Sequence, residues 1–96
     1  MRLKQKLTVE DAEIIGLNAL TFVAEDEARL GRFLALTGLS AEELRASAGE
    51  TSTLRAVLEY LAGDESMLLV FAAAVSLPPE RIGAAISLLD GAGDRS

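Results

Sequence analysis

The sequence predicts an all-α fold: a compact bundle of five or six short helices, built as two related three-helix halves. Three observations carry this. Helix start and stop signals recur along the chain, whereas no sustained apolar–polar alternation and no Asn-Gly or Asp-Gly dipeptide between apolar runs marks a hairpin. Apolar residues return at i, i+3, i+4 and i+7, the spacing of one helix face. The chain also matches itself at a shift of 38 residues.

The elements follow in order. Thr8 with Asp11 can cap a first helix running to about Ala24, with acids in its first turn where the helix dipole favours them. Asp26 can cap a second, to about Thr37, and Gly38 supplies the left-handed residue that ends it. Ser40 and Glu43 form a capping box for a short third helix that stops at Gly49. Thr51 or Ser52 opens a fourth, stopped by Gly63. Asp64 caps a fifth, to about Ser76. Pro79 suits the first position of a sixth, which reaches about Leu89 with Gly91 beyond it. Residues 1–7 read as a basic flexible tail, 8–91 as one helical domain with copies at about 8–49 and 50–90, and 92–96 as a frayed end.

The apolar stripes agree with these elements. Leu30, Phe33, Leu34 and Thr37 share one face, as do Leu54, Val57, Leu58 and Leu61, and Ile82, Ala85, Ile86 and Leu89. Each reads as a core-facing stripe.

At the 38-residue shift, residues 17–47 lie over 55–85 with ten identities in 31 positions. Chance in so Leu- and Ala-rich a chain gives about three. Asp26/Asp64, Glu27/Glu65, Leu30/Leu68 and Phe33/Phe71 are among the identities, and Phe22/Tyr60 is a conservative match. Three short helices cannot bury their apolar faces alone, but two such copies can bury them against each other.

The differences between the copies point to surfaces. Arg29, Gly31 and Arg32 correspond to Met67, Leu69 and Val70, so the second helix keeps a charged outer face while the fifth is apolar nearly all round. Such a helix must be covered on every side. The first helix, through Ile14, Ile15 and Leu17, or the sixth can cover it within the chain; otherwise Met67, Leu69 and Val70 form a self-association patch. Arg29 and Arg32, three residues apart, can fork a partner's carboxylate or be satisfied by Glu25 and Asp26. Gly16, Gly31 and Gly83 fall inside helices, where glycine often marks a close backbone approach. At Gly31 that neighbour is either a helix of the same chain or a partner.

Composition excludes much chemistry. With no Cys and no His, disulfides, thiolate nucleophiles, zinc–sulfur sites and the commonest general base are absent. Every Lys lies in the tail, and Tyr60, matched to Phe22, reads as a packing aromatic with a wet hydroxyl. The acidic pairs Asp26-Glu27 and Glu42-Glu43 fall in first turns, where capping explains them. No strand precedes a glycine-rich loop, so neither a dinucleotide fingerprint nor a phosphate loop is present. The reading therefore assigns no catalytic residue, cofactor or metal.

Charge is uneven. The net charge of −6 divides into a basic MRLKQKL start and a remainder with six Arg against fifteen acids, a balance of −9. Such a body repels nucleic acid and anionic membranes. Glu10, Asp11 and Glu13 interrupt the N-terminal apolar stretch, which excludes a signal-peptide core. The apolar run Met67–Leu77 covers roughly 17 Å as a helix, short of a ~30 Å hydrocarbon core.

RLGRFLALTGLSAEELR, residues 29–45, and VLEYLAGDESMLLVFAAAVSLPPERI, residues 57–82, resemble a family of small alphaproteobacterial proteins known as domain of unknown function 3572. The resemblance covers most of residues 12–90. In that family an Asp-Pro step opens the second and the sixth helix, whereas this chain has Asp26-Glu27 and Pro78-Pro79, a departure that bears on those two boundaries. The resemblance implies a bacterial, cytoplasmic protein and brings no activity or catalytic residues. The expectation is a small acidic helical module that binds another cytosolic protein without catalysis. The alternatives are a self-associating structural protein, such as a homodimer through the fifth helix, or a small-ligand-binding bundle.

Overall fold

The structure is a computed structural model that describes residues 6–94, with side chains as far as Gly91. Six helices follow one another: α1 (Val9–Ala24), α2 (Glu27–Thr37), α3 (Ala41–Ala46), α4 (Thr51–Ala62), α5 (Glu65–Ala74) and α6 (Pro79–Asp94). No strand occurs among the described residues. The all-α bundle expected from the sequence is what forms.

Local chemistry sets the helix ends. Thr8 and Asp11 make a reciprocal capping box at α1, and Ser40 and Glu43 make another at α3. Asp26 accepts from the backbone N–H groups of Ala28 and Arg29, and Asp64 from that of Met67. α4 opens at Thr51, as expected. Its N-cap is Glu50, with no side-chain capping bond. The nearby Thr53 hydroxyl donates to Ser47 Oγ at 3.0 Å, tying α4 to the turn before it.

α6 runs past the stop expected at Leu89, through Gly91 to Asp94. A glycine weakens a helix by about 1 kcal/mol relative to alanine, which does not by itself end one. The first five residues of the expected basic tail, and Arg95 and Ser96 of the expected frayed end, lie outside the described residues. Leu7 is partly buried against the core.

The caps carry a pH dependence. The Asp11 carboxylate is held below its ordinary pKa chiefly by the Thr8 backbone N–H, and Asp26 chiefly by the Arg29 backbone N–H. A carboxyl whose folded pKa is depressed adds stability above its unfolded pKa and loses it as pH falls through the folded value. Acid titration followed by helical circular dichroism should therefore show helix loss as the pH falls below 3.8, the ordinary value for an aspartate carboxyl. Thr8→Ala should move that onset upward.

α1, α4 and α6 form the centre, each packed on the other two. Leu54, Val57, Leu58 and Leu61 of α4, Ala12, Ile15, Ala19 and Val23 of α1, and Ile82, Ala85 and Leu89 of α6 are buried there. α2 and α5 flank this triad, giving one buried phenylalanine each, Phe33 and Phe71. α3 adds only Leu44.

α1 and α4 cross at Gly16. A Cβ built there would stand 2.8 Å from the Leu54 Cβ, too close for any side chain without backbone movement. Gly31 and Gly83 would meet nothing within 4 Å. The close approach expected of mid-helix glycines thus occurs only at Gly16 among these three.

Several contacts exchange with one another under the 38-residue shift. Gly16 and Leu54, which touch, are matched positions. Phe22 packs on Phe71 with ring centroids 5.4 Å apart and planes at 57°, and Tyr60 packs on Phe33 at the same 5.4 Å and 57°. Gly38 and Ser76 both have positive φ, 78° and 55°. The halves differ elsewhere: α3 has six residues and α6 sixteen, and only α6 packs on both α1 and α4. The repeat read from the sequence is not established as a structural one.

Ser76 ends α5 in a Schellman arrangement, with its N–H bonding Ala73 O at 3.2 Å and the Leu77 N–H bonding Ala72 O at 2.9 Å. A side chain in the left-handed region is strained, and glycine is not. Ser76→Gly should stabilise the fold by about 0.5–1 kcal/mol, read as a raised urea midpoint at unchanged slope.

Candidate functional site

The sequence left two cases for α5, cover within the chain or an exposed apolar patch, and the cover is partial. Met67 is buried at 9% exposure, but Leu69 and Val70 remain 49% and 55% exposed. α1 does not supply the cover, because Ile14 and Leu17 are themselves exposed and only Ile15 turns inward. The cause is angular. α5 packs on α4 and α6 along the face bearing Met67, Leu68, Phe71, Ala72 and Val75, and Leu69, Val70 and Ala73 project from the other side.

Beside this ridge runs a shallow trough. α2 and α5 do not pack closely on one another, and the space between them is floored by α1 and α4. Three open depressions line up along it. One, about 370 Å³, lies among Arg32, Leu36, Tyr60, Gly63, Asp64 and Met67. The next, about 220 Å³, shares Arg32, Asp64 and Met67 and adds Phe22, Ser66 and Val70. The third, about 200 Å³, shares Phe22 and continues to Asn18, Thr21, Glu25, Phe71 and Ala74. The middle depression is walled by matched positions of the two halves, Arg29 with Met67 and Arg32 with Val70, so the α2 wall is basic while the α5 wall sets Met67 and Val70 beside Asp64 and Ser66.

The two arginines have separate roles. Arg29 is spent inside the chain. Its guanidinium donates to Phe22 O at 2.7 Å, lies 3.9 Å over the Phe22 ring, and stands 3.7 Å from the Asp26 carboxylate. The Arg29 carbonyl accepts the Tyr60 hydroxyl at 3.0 Å, so that hydroxyl is bonded within the fold rather than wet. Arg29 locks the α1–α2 corner against α4. Lysine cannot supply the planar stack and the bond together. Arg29→Lys should cost about 1–2 kcal/mol, measured by thermal melting.

Arg32 is exposed, and no hydrogen bond or ion pair holds it among the described residues. Its charge does act on Asp26, helping to keep that carboxyl ionised. Gly31, between the two arginines, is exposed with open space where a side chain would stand. Of the residues singled out in the sequence, Arg32, Met67 and Val70 line the trough, Leu69 forms the outer side of the ridge, and Gly31 lies on the outer surface of α2. Sequence reasoning did not single out Leu36, which is 75% exposed at the trough's end. Its position one turn beyond Arg32 was the available signal.

No group of three or more acidic side chains among the described residues is placed to hold a metal ion. No single helix among them is long and apolar enough to cross a membrane.

The sequence pattern of the family described as protein of unknown function, DUF3572, matches residues 9–92. The chain belongs to that family. Within DUF3572 the matched span takes in α1 to α5, most of α6 and the whole trough. Where the resemblance raised doubt about two boundaries of this DUF3572 chain, Asp26 still caps α2 and Pro79 still opens α6. No curated protein and no solved structure matches the chain.

Proposed function

We propose that this DUF3572 protein is a non-enzymatic interaction module, a small acidic adaptor or regulator that engages another protein in the cytosol through the trough and the α5 ridge. One observation supports this above the rest. A chain small enough to need every apolar residue for its core leaves Leu36, Leu69 and Val70 exposed around an apolar trough, with an unpaired arginine on its wall. Trough-shaped apolar surfaces beside a fixed charge suit a helix laid into a groove. The depressions are open to solvent and do not enclose a volume that would bury most of a small ligand, which weighs against the ligand-binding alternative.

The test is co-purification of tagged protein from cell extract beside Arg32→Glu and Val70→Glu, followed by reconstitution of any captured partner from purified components. The expected result is a partner that binds the parent and is lost from both trough variants, with circular dichroism showing that both remain folded. A partner retained by both variants would remove the trough from the function.

A further inference from the structure

We infer that the trough is filled by α5 of a second copy of this chain, making an isologous dimer. This rests on the reading above that trough and ridge form an interaction surface, and it puts a second copy of the chain there in place of a different protein. The trough sets three conditions on its occupant. It lies between two helices that do not pack together, so the occupant presents a ridge of helical width. Its floor, Phe22, Tyr60 and Met67, and one wall, Val70, are apolar, so the ridge is apolar. Its other wall carries Arg32, exposed and without an ion pair. Two carboxylates line the same depressions, but Asp64 caps α5 by accepting from Met67 N–H and Glu59 is held by Arg55 at 3.1 Å, so Arg32 is left for a carboxylate of the occupant.

The chain itself carries a helix that meets all three. The outer face of α5 holds Leu69, Val70 and Ala73 in one stripe, all exposed. Glu65 lies one turn before Leu69 and is exposed on the flank of that stripe. Ridge and trough are neighbours on the same surface, since Val70 belongs to both. That adjacency is what a two-fold axis requires: each copy lays its ridge in the other's trough, and every contact occurs twice. Arg32 of each copy then meets Glu65 of the other.

Charge complementarity works locally against an unfavourable global term. Two bodies of net charge −6 repel, and this repulsion is screened beyond about 8 Å at physiological salt. The two short-range Arg32–Glu65 pairs lie inside that distance and are partly desolvated by the apolar stripe between them. The acidic body otherwise disfavours self-association, and Arg32 is the cation placed to offset it at this face.

The experiment is sedimentation equilibrium of the full chain at concentrations up to about 1 mM. The parent should approach twice the chain mass of 10.1 kDa. Val70→Glu should weaken association about a hundredfold, because it places a charge in the apolar seam. Arg32→Glu and Glu65→Arg should each weaken it about tenfold or more. An equimolar mixture of these two single variants should recover the dimer, because both cross-pairs are then opposite in charge. Circular dichroism of each variant controls for folding, and all three positions are exposed.

A parent that stays monomeric across the range overturns the dimer and leaves the interaction module standing with a different protein as occupant. A dimer that survives Val70→Glu places the interface elsewhere and overturns the inference. Loss in both charge variants without recovery on mixing overturns the Arg32–Glu65 pairing that defines it.

Discussion

Phe71→Ala is expected to remove about 3–5 kcal/mol of stability. The ring is fully buried, touches Phe22 across the α1–α5 boundary, and is the largest side chain that α5 gives to the core. Its removal leaves a cavity walled by rigid helices that cannot close over it. A domain of this length holds only about 5–15 kcal/mol in total, so the variant should unfold near half the parent's urea midpoint. Phe33→Ala is the matched experiment. Phe33 is 1% exposed and packs on Tyr60 with the same centroid separation and tilt. If the two aromatic contacts are energetically alike, the losses should agree to within about 1 kcal/mol. A loss under 1 kcal/mol at Phe71 would mean that α5 is not anchored where the structure places it.

Gly16→Ala is expected to destabilise by about 2 kcal/mol, lowering the melting temperature by roughly 10 °C for a chain of this size. In most helices the same change stabilises, because alanine is the better helix former by about 1 kcal/mol. Here the new methyl would lie 2.8 Å from the Leu54 Cβ, a backbone-fixed atom that cannot rotate away. Leu54→Ala does not relieve the clash, since alanine keeps that Cβ. Gly31→Ala and Gly83→Ala are the controls of opposite sign. Both positions have nothing within 4 Å of a new Cβ, and each change should stabilise by about 1 kcal/mol. Thermal melts of the three variants separate a helix-crossing glycine from glycines without a packing role.

The sequence was most informative where a single residue determines a local structure. Thr8, Asp26, Ser40 and Asp64 cap helices because each carries a short acceptor that reaches the next turn's N–H groups. α4 opens at Thr51, one of the two residues expected, although its N-cap Glu50 makes no side-chain capping bond. The end of α6 was misread because Gly91 is a weak stop: glycine lowers helix stability without barring the helical conformation.

The site was legible in its residues and not in its arrangement. Arg29 and Arg32 look equivalent at i and i+3, but one reaches Phe22 O on the preceding helix and the other does not. That difference depends on the angle at which α1 enters α2. Met67, Leu69 and Val70 likewise form one apolar run in sequence. Only the direction from which α4 and α6 approach decides that the first is interior and the other two are outside. Leu36 passed as an ordinary helical leucine, because nothing local says which side of α2 faces the trough.

The place of α6 bears on how the protein comes apart. Ile82, Ala85 and Leu89 complete the seam that α1 and α4 begin. Each of these three helices covers the buried stripes of the other two, so none can leave without wetting both neighbours. Unfolding should therefore be one cooperative step, with the slowest amide exchange of α1, α4 and α6 set by the same global opening.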